Sequence, residues 1–218
     1  MIRDLIIANR TCRRFYQEVP ISLKTLRELI DLARLSASGS NRQSLKYILS
    51  GDPSRNALIF PCLAWAGALK DWPGPAEGER PSAYIIILGD TEIEFSTKCS
   101  TVYLETAKVI GGEQPVAAKS HHNWSCDHGI AAQSIFLGAR ERGFGGCMHG
   151  AVKRKALSKV LGIPPRYEIL LVLSLGKPRE KVVLDTIGPD GNFDYWRDSD
   201  NIHHVPKRLL GDIIISEL

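Results

Sequence analysis

The sequence predicts a helix-and-sheet fold of the α+β (α/β-like) class, a β-sheet covered by helices. Three observations carry this expectation. Two apolar, branched runs, Ala83-Tyr84-Ile85-Ile86-Ile87-Leu88 and Glu168 to Leu175, have the character of buried strands. Segments of helical period lie between most of the strands. The chain has 218 residues, 44% hydrophobic and 24% charged, enough to bury one sizeable core. No repeat, low-complexity tract or linker divides it, so residues 1–218 read as a single domain. Periodicity leaves α/β and α+β both open.

Taken in order, Ile2 to Asn9 reads as a short amphipathic helix. Ser22 can cap a second, with Leu26, Leu29, Ile30 and Ala33 on one face. It runs into the polar loop Ser36-Ala37-Ser38-Gly39-Ser40-Asn41, and Tyr47-Ile48-Leu49 follows as a strand. Ala57 to Leu69 looks helical and ends in a Trp72-Pro73-Gly74-Pro75 loop. The run from Ala83 is closed by Gly89-Asp90. A further helix is expected around Val102 to Val109. Asp127 is expected to cap the next, with Ile130, Ala131, Ser134, Ile135 and Gly138 on a small-residue face suited to close helix packing and Gly143 as its stop. Lys153 to Leu161 forms another helix, ended by Gly162 and Pro164. The tail Ile213-Ile214-Ile215 suits either a core strand or an arm reaching a second subunit.

Composition excludes several classes. The net charge of +4 is spread along the chain, with no block of Lys and Arg interleaved with aromatics, so nucleic acid is not an expected partner. No apolar run is long enough to span a bilayer, and the charges in Met1-Ile2-Arg3-Asp4 do not read as a signal peptide. The cysteines Cys12, Cys62, Cys99, Cys126 and Cys147 are odd in number and lack C-x-x-C spacing. Free thiols and a cytoplasmic location are expected.

Three segments offer chemistry. Arg10-Thr11-Cys12-Arg13-Arg14-Phe15 places three arginines and a hydroxyl in one short turn, and the planar guanidinium fork matches phosphate oxygens. Ser38-Gly39-Ser40-Asn41-Arg42-Gln43 joins small residues, which let backbone approach a ligand, to amides that can read a ring edge. Pro206-Lys207-Arg208 is a second cationic pair. Singly, each reads first as a solvated loop, an ordinary connection or a surface charge pair. Trp65 and Trp72 suit either stacking on a substrate or packing.

In combination and order these segments resemble the nitroreductase family, most strongly over residues 1–90 and 124–210. The resemblance implies the nitroreductase fold, a mixed central sheet flanked by helices in a domain-entwined homodimer, with FMN between the subunits. Arg10, Thr11 and Arg13 occupy the family's R-S-x-R-x-F turn, which holds the FMN phosphate and ribityl chain. Ser36, Ala37, Ser38, Asn41 and Gln43, with Gly39 among them, match the S-P-S-x-x-N-x-Q-P-W loop that approaches the flavin from the partner subunit. Ala37 replaces its proline, and Ser44-Leu45 replace Pro-Trp. The Gly145-Gly146-Cys147-Met148-His149-Gly150 turn resembles the segment beside the isoalloxazine ring, with a Gly150 N–H near N5. Lys207 and Arg208 resemble the pair that closes on the phosphate.

The implied activity is ping-pong electron transfer from NAD(P)H through FMN to an electron-poor small molecule such as a nitroaromatic, quinone or enone. It needs no catalytic side chain; Arg13 is also a candidate to stabilise negative charge near N1 and O2 of the ring. Residues 95–123 match no family pattern, and there the acceptor's identity would lie. The alternative is a non-redox flavin- or nucleotide-binding protein using the same anion site. Two further motifs are set aside. Gly143-Phe144-Gly145-Gly146 follows a helix and precedes a strand, the reverse of a dinucleotide fingerprint. The His121 to His128 cluster has no standard metal spacing. Cys147 reads as a small buried hydrophobe rather than a reactive thiol.

Overall fold

The computed structural model describes residues 1–67, 69, 72–93 and 126–218. The helix expected at Val102 to Val109 and the cluster from His121 to Ser125 lie outside them.

Helix α1 (Ile2–Ala8) leads through the arginine turn into a two-residue strand, β1 (Phe15–Tyr16). Helix α2 (Leu23–Leu35) starts where expected, because the Ser22 hydroxyl accepts from the Thr25 N–H at 3.0 Å. Strand β2 (Leu45–Ser50) follows. The helix expected over Ala57 to Leu69 is instead α3 (Pro53–Ile59), continued by a single 3₁₀ turn, Phe60–Cys62. Asp52 caps it and Pro53 fits its first turn, while Pro61 cannot continue an α-helical ladder.

Strand β3 (Ala83–Asp90) is buried along its whole length. It takes in Gly89 and Asp90, expected to close it, because the Asp90 carboxylate receives two bonds of 2.7 Å from Arg166. That pairing holds the Asp90 carboxyl below its usual range. Helix α4 (Asp127–Glu141), strand β4 (Gly145–His149), helix α5 (Arg154–Leu161) and strand β5 (Tyr167–Pro178) complete the main body. Gly162, at φ +62°, ends α5 as expected. The segment expected as a turn at Gly145 to His149 is thus an edge strand.

β5 organises the central sheet. It pairs with β3 along one edge and with β4 and β1 along the other, and β2 lies outside β3. All these ladders are antiparallel. Parallel contacts occur at the bridge Thr11–Gly146 and in a small second sheet. That sheet is β6 (Val182–Thr186), β8 (His203–Lys207) and β7 (Trp196–Arg197), in that order. β3 reads as one unbroken apolar run because both its faces are covered. Ile85 and Ile87 pack against α2 and α4; Tyr84, Ile86 and Leu88 pack with Ile59 and Leu157 of α3 and α5.

On α4 the small-residue face is used inside the chain. A Cβ on Gly138 would come within 2.2 Å of Leu32 Cδ1, so glycine lets α2 and α4 approach closely. Ile130, expected on that face, is 40% exposed, and Phe136 takes its place in the core. The Ile213–Ile215 tail is exposed, which removes the core-strand reading.

Candidate functional site

A cleft of about 310 Å³ opens where the arginine turn, α4, β4 and β8 meet. β4 sets its floor. Side chains alternate along a strand, so Gly146 and Met148 face α4 and the cleft, while Cys147 and His149 face the other way. The arginine turn runs alongside β4, pinned by the Cys12 N–H to the Gly146 carbonyl at 2.8 Å. Gly146 tolerates no larger residue, since a Cβ there would lie 2.2 Å from the Ser174 carbonyl oxygen.

The turn separates its arginines. Arg14 is committed to a bidentate pair with Glu79 at 2.7 and 2.6 Å. Arg10 and Arg13 line the cleft with Thr11. Arg10 donates to the Ile6 carbonyl at 2.6 Å, and burial depresses its pKa, though a guanidinium remains charged. Arg13 is buried, its guanidinium 4.7 Å from the centroid of the Tyr195 ring and 3.2 Å from His203 Nε2. Because Arg13 can only donate, His203 Nε2 accepts and the imidazole proton sits on Nδ1.

Glu180 shapes this arrangement from beneath. Its carboxylate accepts from the backbone N–H of Arg13, from that of Arg14 at 3.1 Å and from the Arg197 guanidinium at 2.8 Å. From β8, the alternating residues His203, Val205 and Lys207 complete the wall. Among the described residues, none lining the cleft is acidic. Among the described residues, Arg10 Nε, Arg13 Nε and His203 Nδ1 are buried donors with no acceptor. A donor set of this kind, beside a backbone that approaches closely at Gly146, fits an anionic ligand such as a phosphate.

The remaining expected residues sit elsewhere. Arg208 is exposed, one residue past β8, and does not line the cleft. Ala37, Ser38, Gly39, Asn41 and Gln43 form a separate outward loop. The His149 side chain lies on the far face of the sheet, with Nδ1 donating to the Ala64 carbonyl at 3.1 Å and Nε2 3.0 Å from Ser174 Oγ. Gly150 follows β4 with open space around it. Trp65 packs edge-on against His149, and Trp72 lies under the Arg197 guanidinium, so both serve packing. Cys147 is buried, and burial pushes its thiol up to about 11, which leaves it no nucleophilic thiolate. Asp127 does not cap α4. Cys126 holds that position, and the Asp127 carboxylate turns to the Ser38–Gly39 loop.

Sequence reasoning missed Glu180, His203 and Tyr195. Glu180 sits in a charged stretch that reads as surface. The alternation of His203, Val205 and Lys207 was a usable signal, since it places one face of a strand on one wall.

The histidines give a test of these surroundings. Burial first, then the charge of Arg13, lowers both His149 and His203 to about 4. His204, on the opposite face of β8, has Asp185 and Asp198 at its two ring nitrogens, 2.7 and 3.2 Å away. The bond to Asp198, then that to Asp185, raises its pKa. A raised folded-state pKa contributes stability in full below about pH 6.5, lost as pH rises through the folded value. NMR titration of the imidazoles is expected to show His204 titrating above about 6.5 and the other two near 4. A His204 titration below the unperturbed value would contradict this geometry.

The fold and cleft together define an α+β protein with a cation-lined cleft at the edge of its central sheet. The chain belongs to the nitroreductase family, whose profile matches residues 7–177, and its structure has the nitroreductase fold. Among its relatives is the 4-nitrobenzoate reductase of Pseudomonas putida, 27% identical over 207 residues that span 84% of this chain and 88% of that protein. A nitroreductase-like protein of Streptococcus mutans superposes with a TM-score of 0.62 at 15% identity, over 83% of this chain and 91% of that one. An FMN-dependent nitroreductase of Clostridium difficile gives 0.56 at 20% identity, over 83% and 89%. Among the described residues, no helix is long and apolar enough to cross a membrane.

Proposed function

We propose that this chain is a single-domain, FMN-dependent oxidoreductase that passes electrons from NADH or NADPH to an electron-poor small molecule, as a cytoplasmic homodimer. The observation that carries the proposal is the convergence of Arg10, Arg13 and Lys207 on a cleft that has no acidic lining among the described residues, beside the Gly146 backbone. Membership of the nitroreductase family supports the redox reading. When bound, FMN would supply the redox chemistry between a nicotinamide donor and a separately binding acceptor.

The chain's own residues bind and orient. Arg10, Thr11 and Lys207 hold the phosphate, with Arg208 reaching it from the end of β8. Arg13 either joins them or stabilises negative charge on the ring. Glu180 holds the Arg13 backbone N–H, and Tyr195 and His203 keep its guanidinium in place. The β4 backbone from Gly146 through His149 to Gly150 would support the ring. Ala37, Ser38, Gly39, Asn41 and Gln43 serve the site of the partner subunit, which accounts for their distance from this chain's own cleft.

Purified protein supplied with FMN is expected to retain it through gel filtration and to bleach anaerobically with NADH or NADPH. Protein that stays colourless with added FMN overturns the proposal. FMN that is bound but reduced by neither nicotinamide assigns the cleft to a non-redox, flavin-sensing role.

A further inference from the structure

We infer that Asp127 is a positioning residue that holds the Ser38–Gln43 loop in a single, pre-set shape for the flavin. This rests on the reading of that loop as part of the partner subunit's flavin site.

The Asp127 carboxylate is buried, and both of its oxygens are used by the loop. Oδ1 accepts from the Gly39 N–H at 2.9 Å and Oδ2 from the Ser38 hydroxyl at 3.0 Å. Ser38 Oγ in turn accepts from the Gln43 N–H at 2.9 Å, so one carboxylate fixes both ends of the loop. The segment between is in a costly conformation. Ser40, Asn41 and Gln43 have φ of 52°, 52° and 51°, in the left-handed region that side-chain-bearing residues seldom adopt. Such backbone persists only where its surroundings over-determine it. What the clamp presents is an exposed pair of amides, with Gln43 Nε2 donating to Asn41 Oδ1 at 3.1 Å.

The position of Asp127 explains how a buried charge is tolerated. It occupies the first turn of α4, where the helix dipole favours a negative charge. Among the described residues it makes no capping bond, and both its oxygens serve the loop.

The test uses the full-length protein, with amide hydrogen exchange measured before FMN is added. In Asp127→Ala, exchange at Gly39 and Gln43 is expected to accelerate at least tenfold, with the β3 amides of Ile85 to Ile87 unchanged. FMN titrated into the same variant is expected to show a Kd raised at least tenfold. Asp127→Glu keeps a negative charge in the first turn of α4 but misplaces the oxygens, and it is expected not to restore either property. Ser38→Ala probes the relay from the loop side: the Gln43 amide should be freed while Gly39, held directly by Asp127, stays protected.

Wild-type exchange at Gly39 and Gln43 in Asp127→Ala overturns the clamp. Full rescue by Asp127→Glu also overturns it, reducing Asp127 to a helix-terminus charge. If Asp127→Ala does not fold, the Ser38→Ala pattern decides. Freed amides with an unchanged Kd overturn the loop's place in the flavin site and leave the cleft reading intact. Wild-type protein that binds no FMN removes the cleft reading itself.

Discussion

Replacing Arg13 by alanine is expected to weaken FMN binding about 10- to 140-fold, the equivalent of about 1.5–3 kcal/mol for a charge-assisted hydrogen bond. Arg13 is the buried cation of the cleft, and two neighbours hold its guanidinium, the Tyr195 ring and His203 Nε2. Its Nε still lacks an acceptor, so a ligand oxygen would answer a donor that is otherwise unmatched. Fluorescence titration of FMN into the apoprotein measures the effect. Two comparisons sharpen it. Arg14→Ala should leave FMN affinity near wild type, because the Arg14 guanidinium is spent on Glu79. Lys207→Ala should cost more affinity than Arg208→Ala, since Lys207 lines the cleft and Arg208 lies beyond it. Wild-type affinity in Arg13→Ala would move the phosphate to another part of the cleft.

The second large effect is on stability. Glu180→Ala should destabilise the fold by about 3–5 kcal/mol, the range seen when one partner of a buried ion pair is removed. The Glu180 side chain is 1% exposed and its partner Arg197 12%, so water cannot readily replace the lost bonds. Arg197 and the N–H groups of Arg13 and Arg14 would lose their acceptor together. For a chain of this length the loss corresponds to a fall in Tm of about 6–20 °C, readable by thermal denaturation. Glu180→Gln keeps the volume and an acceptor oxygen and should fall between wild type and alanine. A change of Tm below about 2 °C for Glu180→Ala would mean that the turn is held by its β4 contacts alone.

These predictions fall on residues of unequal legibility. The arginine turn was visible in the sequence, but taken alone it read first as a solvated basic loop, and only its order with the other segments tied it to a ligand. Which arginines serve the cleft was not: Arg14 looks the same as Arg13 until Glu79, far along the chain, is brought to it. Asp127 was legible as an acid at a helix start, and local reasoning made it a cap. Its carboxylate bonds a loop 88 residues earlier, a long-range partner that no local pattern encodes. The helix expected across Ala57 to Leu69 failed where Pro61 had already marked the break.

By itself the sequence determined the elements whose signals are local. The Ser22 cap started α2, Gly162 ended α5, and the unbroken apolar run from Ala83 made a strand covered on both faces. It also supplied the cations Arg10, Arg13 and Lys207, from which an anionic ligand is proposed. Tertiary structure alone decided that the central ladders are antiparallel, that Gly145 to His149 is an edge strand, and that Glu180 and Asp127 organise the two loops. Side-chain period and propensity act over a few residues, whereas strand direction and buried charge partners depend on contacts between distant segments. The arginine turn therefore supplies clustered cations, and only the folded chain shows which of them face the cleft.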